Sequence, residues 1–175
     1  MTDDDREMLF DEEHPGPPEN LESALATTEL SEVVSQPPLM VSLSTTLADA
    51  IHLMQRERRA CVLVMDGGRL AGIFTERDVL MKVAGQPLDI IHTPVSASMT
   101  SNPLTLPSDA NVAFALNKMV LEGFRHIPLV DDDGRPTAVV SMRNLIEHLG
   151  EIYSREMLTI PPEPHQHRFK SREGA

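Results

Sequence analysis

The sequence predicts a mixed α/β fold of the α+β type, in which two β-α-β-β-α units pack together with pseudo-two-fold symmetry. Three observations support this prediction. The sequence contains an internal repeat, short apolar runs typical of strands alternate with segments whose apolar residues have helical spacing, and the hydrophobic content is 41% without tryptophan. Each unit of about 55 residues is too small to bury its apolar face well alone. We therefore expect the two sheets to pack together, with helices outside and paired clefts between the halves.

The repeat rests on fourteen identities that recur in order. At an offset of 65 residues they begin at Ser31, Pro38, Leu39, Ala48, Ala50, Met54 and Glu57. One inserted residue then changes the offset to 66, and they continue at Arg59, Leu63, Val64, Asp66, Gly68, Arg69 and Arg77. Because the predicted elements align as well, the two copies share one architecture.

The first copy begins with a short strand over 39–43, after Pro37 and Pro38. Apolar residues at i, i+3, i+4 and i+7 from Leu47 predict a helix to Arg58 or Arg59, with hydroxyl caps at 44–46. The remaining elements are a strand over 60–65, a turn over 66–68, a strand over 70–75 and a helix that stops near Gly85.

The second copy repeats this order. Its first helix carries the same apolar stripe from Val112, with Ser108 or Asp109 as the predicted N-cap. Strands over 126–130 and 137–141 follow, joined by an acidic turn, and the last helix is predicted over 142–149 with Gly150 as its stop.

The charge is distributed unevenly along the chain. Residues 1–30 carry ten acidic residues against one base, Arg6, so −9 of the net charge of −12 lies there. The predicted segments are an acidic, mostly disordered leader over 1–29 with a short helix capped by Asn20, repeats over 30–85 and 95–152, a linker over 86–94 and a polar tail over 153–175.

Composition argues against several classes of protein. No apolar run approaches the roughly 20 residues of a membrane span, and the acidic N-terminus differs from a signal peptide. The acidic leader would be repelled by nucleic acid and by anionic membranes. The single cysteine, Cys61, lies in an apolar strand and is predicted to be a buried hydrophobe. A cytoplasmic protein that binds neither nucleic acid nor membrane is the resulting prediction.

Thr75 and Asp78 bracket the first turn of a predicted helix directly after a strand. A hydroxyl and a carboxylate beside free helix N–H groups are able to serve a phosphate and a ribose together. The alternative is structural: Thr75 caps the helix and Asp78 is a first-turn acid favoured by the helix dipole. Taken alone, this stretch favours the structural interpretation.

Three segments resemble the signatures of the CBS domain, the module named after cystathionine β-synthase, present here as a tandem pair or Bateman module. Residues 72–78 (Gly-Ile-Phe-Thr-Glu-Arg-Asp) match the family's Gly-hydrophobic-hydrophobic-Ser/Thr-x-x-Asp pattern. Residues 123–131 resemble its helix-to-strand signature, and residues 98–103 resemble the usual start of a second repeat. The resemblance covers roughly residues 30–152 and implies the two-repeat fold.

The resemblance implies a site for an adenosine-containing ligand: AMP, ADP, ATP, S-adenosylmethionine or a related molecule. In the family, the motif Asp contacts ribose hydroxyls, the Ser/Thr meets a phosphate, and bases from the facing repeat complete the phosphate site. Carried over, the first site comprises Thr75, Asp78, Arg77, Arg125 and His126, with Leu39, Val41, Val62 and Ile127 as the apolar wall for adenine.

The second site departs from the pattern. It keeps Ser141 and Arg143 but has Ala138 in place of the signature Gly and Asn144 in place of the Asp. Asn has one acceptor oxygen and no charge, so this is predicted to be the weaker site. Arg58 and Arg59 would be its facing bases.

These residues also have structural interpretations without a ligand. His126 is either a phosphate ligand or a strand-edge histidine, and Arg77 and Arg143 are either ligand contacts or solvated helix charges paired with acids. No metal site is predicted. Nothing resembles a catalytic triad, a Cys-His pair or a Gly-rich phosphate loop, so we expect no enzyme activity and no required cofactor.

The functional prediction is a non-catalytic regulatory module. It binds an adenosine-containing ligand in the cleft between the repeats and transmits this to an unknown protein partner, and a homodimer is expected. The alternative is a ligand-independent dimerisation or protein-interaction module, which the altered second motif and Val62, in place of the signature proline found at Pro128, would favour.

Overall fold

The computed structural model of the protein describes residues 21–34 and 36–157. The strands are β1 (Met40–Ser42), β2 (Cys61–Asp66), β3 (Arg69–Thr75), β4 (Thr100–Ser101), β5 (Leu106–Pro107), β6 (His126–Val130) and β7 (Pro136–Ser141). The helices are α1 (Leu21–Thr27), α2 (Leu30–Val33), α3 (Leu47–Glu57), α4 (Glu76–Asp78), α5 (Val112–Glu122) and α6 (Met142–Met157). A π-helical turn, Val79–Val83, continues α4, and a 3-10 turn spans Val95–Ala97. Residues 1–20 of the predicted leader, which include the Asn20 cap, and residues 158–175 of the predicted tail lie outside the described residues.

Two small sheets confirm the mixed α+β architecture. The first sheet has the strand order β1-β2-β3-β4 and the second has the order β5-β6-β7. In both, the first strand of the repeat pairs parallel with the second, and the second pairs antiparallel with the third. The same topology therefore occurs twice, as the repeat in the sequence predicts.

Strand β2 is the most deeply buried part of the first sheet. Four successive residues, from Cys61 to Val64, are buried, so both faces of the strand are covered. Burial raises the pKa of the Cys61 thiol to about 12, against the smaller opposing effect of Arg59. Cys61 is thus a protonated, buried side chain, in agreement with the sequence-based prediction.

The long helices of the two repeats begin at different kinds of cap. Thr46 caps α3, where its hydroxyl accepts a hydrogen bond from the Asp49 N–H at 3.1 Å. The predicted cap of α5, Ser108 or Asp109, is wrong: the Asn111 side chain accepts from the Phe114 N–H at 2.8 Å. The helix begins later because residues 108–110 form a turn whose carbonyl groups at 108 and 110 accept hydrogen bonds from the N-terminal segment of the protein.

The segments that precede the two repeats are exchanged between them. Glu29 forms an antiparallel bridge with Asn111 at the start of α5, and Pro94 forms the equivalent bridge with Thr46 at the start of α3. The two bridges are related by the same offset of 65 residues, since 94 follows 29 and 111 follows 46 by that number. The segment that leads into the first repeat therefore pairs with the second repeat, and the segment that leads into the second repeat pairs with the first.

The hydrophobic cores follow this exchange. Leu30, the first residue of the first repeat, is fully buried in the core of the second, and Val95, the first residue of the second repeat, is fully buried in the core of the first. Burial of one such side chain contributes roughly 1.5–3 kcal/mol. The two repeats consequently share their cores, which explains why neither is expected to fold well alone.

The last helix is longer than predicted. Gly150 does not stop α6, which continues to Met157. A glycine inside a helix costs only about 1 kcal/mol relative to alanine. Helix α6 packs against α5 and β7, and this packing offsets part of that cost. In the first repeat, by contrast, Gly85 adopts a φ of 74° two residues after the π-helical turn, close to the predicted stop.

Candidate ligand-binding site

Thr75 and Asp78 form a reciprocal capping box where β3 runs into α4. Asp78 Oδ2 accepts hydrogen bonds from the Thr75 N–H at 2.9 Å and from Thr75 Oγ1 at 2.7 Å, while the Asp78 N–H donates to Thr75 Oγ1 at 3.3 Å. The sequence produces this arrangement locally, because the two residues stand three apart at a helix start. Asp78 is only 7% exposed, which makes it one of two buried polar residues in the described part of the chain.

The second oxygen of this carboxylate has its own partner. Lys82 Nζ lies 2.7 Å from Asp78 Oδ1 and 3.0 Å from the carbonyl oxygen of Ser98. The sequence analysis missed Lys82. Its position four residues after Asp78, on the same helical face, was the signal that could have found it.

A cleft of about 480 Å³ opens beside this capping box. Both repeats line it, the first through Thr75, Arg77 and Asp78, the second through Arg125 and His126. The structure thus brings together the five polar residues predicted for the first site. Their contact with a ligand stays a prediction. The cleft also contains Thr100, Pro103 and Leu104, which follow the start of the second repeat and were not assigned to the site.

Gly72 allows the second repeat to approach the cleft closely. A Cβ atom at this position would lie 2.5 Å from Met99 Sδ and 2.9 Å from the carbonyl oxygen of Thr100. Strand β4, which contains Thr100, pairs with β3 at this point. The signature glycine is therefore required by backbone contact, and this contact brings Thr100 into the wall of the cleft.

The basic residues of the cleft differ in their contacts and in their protonation. Arg77 Nη1 donates a hydrogen bond to the carbonyl oxygen of Gly123 at 2.8 Å, and Arg125 is exposed. Burial lowers the pKa of His126 from its ordinary value; the nearby Glu76 opposes this shift and Arg125 adds to it. His126 is therefore neutral near pH 7 and presents one ring donor and one ring acceptor.

The apolar wall differs from the predicted one. Val62 and Ile127 are fully buried in the cores of the two repeats, and Val41 packs against the core of the first. None of them lines the cleft, because they pack in or against the hydrophobic cores of the repeats. The apolar surface of the cleft comes instead from residues such as Leu80, Leu104 and Phe124.

The second predicted site has the same local motif. Asn144 Oδ1 accepts hydrogen bonds from the Ser141 N–H at 3.0 Å and from Ser141 Oγ at 2.6 Å, as Asp78 does from Thr75. Arg143 is exposed and stands 3.9 Å from Glu147.

The predicted facing bases of that site lie elsewhere. Arg59 donates to Gln36 Oε1 at 2.6 Å and to the Pro37 carbonyl oxygen at 3.1 Å. A cavity of about 430 Å³ is lined by Arg58 and Arg59 but by neither Ser141 nor Asn144. The polar residues of the first predicted site thus line one cleft, whereas Ser141 and Asn144 line neither this cavity nor that cleft.

Within 21–34 and 36–157, no group of three or more His, Cys, Asp or Glu side chains is placed to hold a metal ion. No helix in the same residues is both long enough and apolar enough to cross a membrane.

Two copies of one β-α-β-β-α unit around a shared cleft define the class of protein, a tandem-repeat α+β module. The family model of the CBS domain matches residues 30–85 and again residues 95–151. The chain belongs to the CBS domain family, as the signatures in its sequence indicated.

Relatives of known sequence include much longer proteins. A CBS domain-containing protein of Arabidopsis thaliana is 42% identical over 95 residues, which cover 54% of this chain and 17% of the relative. The meiotically up-regulated gene 70 protein of Schizosaccharomyces pombe is 31% identical over 129 residues, 73% of this chain and 18% of the relative. An uncharacterized 17.7 kDa protein of Acidianus ambivalens is 28% identical over 130 residues, 74% of this chain and 77% of its own length. The chain thus spans less than a fifth of the plant and yeast relatives.

Solved structures share the fold over most of their length. A CBS-domain protein of Burkholderia ambifaria is 26% identical, with a TM-score of 0.67 over 77% of this chain and 100% of that one. A second, from Agrobacterium tumefaciens, is 25% identical, with a TM-score of 0.64 over 69% and 98%. A third, from Pyrobaculum aerophilum and solved in complex with AMP, is 24% identical, with a TM-score of 0.63 over 71% and 99%.

Proposed function

We propose that this protein is a non-catalytic regulatory module that binds an adenosine-containing ligand, AMP, ADP, ATP or S-adenosylmethionine, between its repeats and passes the signal to a protein partner. One observation carries the proposal. The cleft between the repeats brings Thr75 and Asp78 of one repeat together with Arg125 and His126 of the other. Its volume of about 480 Å³ falls within the roughly 300–1,000 Å³ of small-molecule sites.

The chemistry of the cleft suits a phosphorylated ribose. The Asp78 carboxylate accepts hydrogen bonds from hydroxyl groups such as those of ribose, and it is held in place by Thr75. The guanidinium groups of Arg77 and Arg125 supply the forked donors that phosphate oxygens prefer. Neutral His126 adds a single directed hydrogen bond.

The apolar surface beside these groups suits a purine ring. Phe124 and Leu104 lie on the same cleft as the polar residues, so a ligand with one flat apolar end and one charged end matches both parts. The AMP complex of the Pyrobaculum aerophilum protein supports the proposal to the extent that the same fold holds a nucleotide there.

The signal would be a shift between arrangements of the two repeats. A ligand that contacts both repeats stabilises the arrangement in which both walls of the cleft are in reach, and it disfavours any other. The hydrogen bond from Arg77, which lines the cleft, to Gly123 is a contact between the repeats, and it would respond to an anionic ligand. A partner that docks preferentially on one arrangement would read the change.

Titration calorimetry tests the proposal. Wild-type protein is titrated with ATP, ADP, AMP and S-adenosylmethionine, together with Asp78→Ala and the matched control Asp49→Ala. Asp49 is suitable because it also accepts a hydrogen bond from a capping threonine, Thr46, at 2.8 Å, but outside the cleft. We expect Asp78→Ala to weaken binding about tenfold or more and Asp49→Ala to leave it unchanged. Absence of wild-type binding below about 1 mM, roughly −4 kcal/mol, would remove the support for a sensor.

A second candidate function is a ligand-independent interaction module that forms a homodimer. It is favoured by the outer face of α5, where Phe114, Val120 and Leu121 are 46%, 67% and 74% exposed. The equivalent positions of α3 are polar, namely Asp49, Gln55 and Arg56. Because the same fold accepts polar residues there, the apolar face of α5 is not required by the packing of its own repeat.

The oligomeric state tests the dimer that this second candidate requires. Light scattering after gel filtration is applied to wild type, to Leu121→Glu and to the control Arg56→Glu on the equivalent face of α3. A module that assembles through α5 loses its dimer only in Leu121→Glu, and it keeps the dimer in Asp78→Ala. A monomeric wild type at all accessible concentrations would rule out the homodimer.

A further inference from the structure

We propose that Lys82 is the residue that positions the Asp78 carboxylate for ligand binding, and that the second repeat has an amide and an imidazole in place of this ion pair. The inference rests on the proposed function, since it concerns the same cleft. It goes beyond that function because Lys82 does not line the cleft and would act through Asp78.

Lys82 is held from two sides. Its Nζ atom lies 2.7 Å from Asp78 Oδ1 and donates to the Ser98 carbonyl oxygen at 3.0 Å. Ser98 is buried and stands two residues before Thr100, which lines the cleft. Lys82 therefore joins the carboxylate of the first repeat to the segment that supplies the opposite wall.

The carboxylate needs a fixed cation at this place. Asp78 is 7% exposed, and a charge that is nearly removed from water is costly unless it is paired and hydrogen-bonded. Thr75 donates twice to Oδ2, and Lys82 is the cation on Oδ1. A carboxylate has about four acceptor positions, so Oδ1 keeps one for a ligand hydroxyl. Lys82 thus fixes the orientation of the oxygen that remains available.

The second repeat provides an internal comparison. At the offset of 66 residues, Asp78 corresponds to Asn144 and Lys82 corresponds to His148. Both members of the ion pair are changed together, to an amide and an imidazole. The Nε2 atom of His148 is buried and has no hydrogen-bond partner among the described residues. The joint replacement indicates that the acid and the base of the first repeat act as one unit.

The backbone around Lys82 also differs between the repeats. Lys82 lies in the π-helical turn Val79–Val83, where the Ala84 N–H donates to the Val79 carbonyl oxygen at 2.8 Å. The equivalent part of α6 is a regular α-helix. π-Helical turns are rare in proteins, and those that occur are frequently found at functional sites. In this protein it occurs in the repeat that carries the ion pair.

Binding measurements test the role of Lys82. Titration with AMP and with ATP compares wild type, Lys82→Met, Lys82→Arg and the control Lys118→Met, which removes another i,i+4 helix pair, Lys118–Glu122, outside the cleft. We expect Lys82→Met to raise Kd about tenfold, Lys82→Arg to stay within about threefold of wild type, and Lys118→Met to show no change. Tighter binding by Lys82→Met would overturn the proposal, because Lys82 would then compete with the ligand for Asp78.

A double-mutant cycle shows whether Lys82 acts through Asp78. In the Asp78→Asn background, Lys82→Met should change Kd less than about twofold, since the charge that it positions is gone. The same tenfold loss in both backgrounds would mean that Lys82 contacts the ligand itself or supports the fold in general. That result would overturn the positioning role.

A ligand-free measurement separates this proposal from the proposed function. Amide hydrogen exchange at Thr75, whose N–H donates to Asp78, is compared in wild type and Lys82→Met. We expect faster exchange at Thr75 and unchanged exchange at Ser141, which donates to Asn144 in the other repeat. If wild type binds none of ATP, ADP, AMP and S-adenosylmethionine, the proposed function fails while this test still applies. Unchanged exchange at Thr75 would overturn the role of Lys82 whatever binds.

Discussion

Arg77 in the first repeat donates a hydrogen bond from Nη1 to the carbonyl oxygen of Gly123 in the second, over 2.8 Å. Gly123 is the left-handed residue that ends α5, with a φ of 75°. The next three residues, 124–126, line the cleft. Arg77 therefore links the helix start that carries Asp78 to the segment that supplies the facing bases, and the same guanidinium is available to an anion.

This contact leads to a prediction for Arg77→Met. The variant should lose about tenfold in affinity for ATP and much less for adenosine, because the guanidinium is expected to meet phosphate. The free energy of unfolding should fall by at most about 1 kcal/mol, since Arg77 is exposed. Calorimetry with both ligands provides the measurement, and Arg135→Met, which removes an exposed arginine of the β6–β7 turn, is the control. Equal losses for ATP and adenosine would contradict a phosphate contact.

Gly72→Ala tests the close approach of the second repeat. The new methyl group would lie 2.9 Å from the Thr100 carbonyl oxygen, and backbone must move to relieve the contact. We expect a loss of about 1–3 kcal/mol in the free energy of unfolding, measured by chemical denaturation. Gly150→Ala is the control, because a Cβ atom there has no neighbour within 4 Å in helix α6. It should gain up to about 1 kcal/mol. A Gly72→Ala variant as stable as wild type would show that β4 does not pack on β3 in solution.

The end of α3 is a place where stability can be gained. Arg58 is the C-cap of α3 and adopts a left-handed conformation with a φ of 51°, where the second repeat has Gly123. A non-glycine residue in this conformation costs roughly 1–2 kcal/mol. After the greater entropy of glycine in the unfolded chain is counted, Arg58→Gly should stabilise the protein by about 0.5–1 kcal/mol. Arg58→Ala also removes the charge but should give no such gain. Thermal unfolding of both variants therefore distinguishes the effect of the left-handed backbone from the effect of losing the arginine charge.

His126 predicts a pH dependence of stability. Its pKa is lowered in the folded protein by burial, so the unfolded chain takes up a proton at a higher pH than the folded protein does. Stability is therefore fully retained above the ordinary histidine pKa of about 6.5 and falls as the pH drops through that value toward the folded-state pKa. Melting temperatures of wild type and His126→Gln at about pH 7.5 and pH 5 should show the smaller fall in the variant. Parallel falls would mean that His126 is not buried in solution.

Much of the fold could be predicted from local patterns. Continuous apolar runs predicted β2 and β6, and the stripe from Leu47 predicted α3 within two residues of its end. The predictions that were wrong concern the ends of helices, where contacts between residues distant in the sequence decide the boundary. Asn111 caps α5 because residues 108–110 pair with the N-terminal segment, and Gly150 lies inside α6, where packing offsets part of its cost.

The same division applies to the candidate site. Thr75 and Asp78 were identified correctly as neighbours because three residues at a helix start determine their contact. Val62 and Ile127 were assigned to the adenine wall, yet they are fully buried in the cores. Strand β2 is covered on both faces, so its apolar residues carry no alternation that would have told cleft from core.

The sequence by itself determined the two-fold repeat, the order of elements in each copy, and the capping box of Thr75 and Asp78. These depend on interactions between residues a few positions apart, which a local pattern encodes. Only the tertiary structure decided the exchange that buries Leu30 and Val95 in each other's repeat, and the meeting of Asp78 with residues of the second repeat around one cleft. Those contacts join residues tens of positions apart, and they follow from shape and burial in the assembled cores rather than from any local signal.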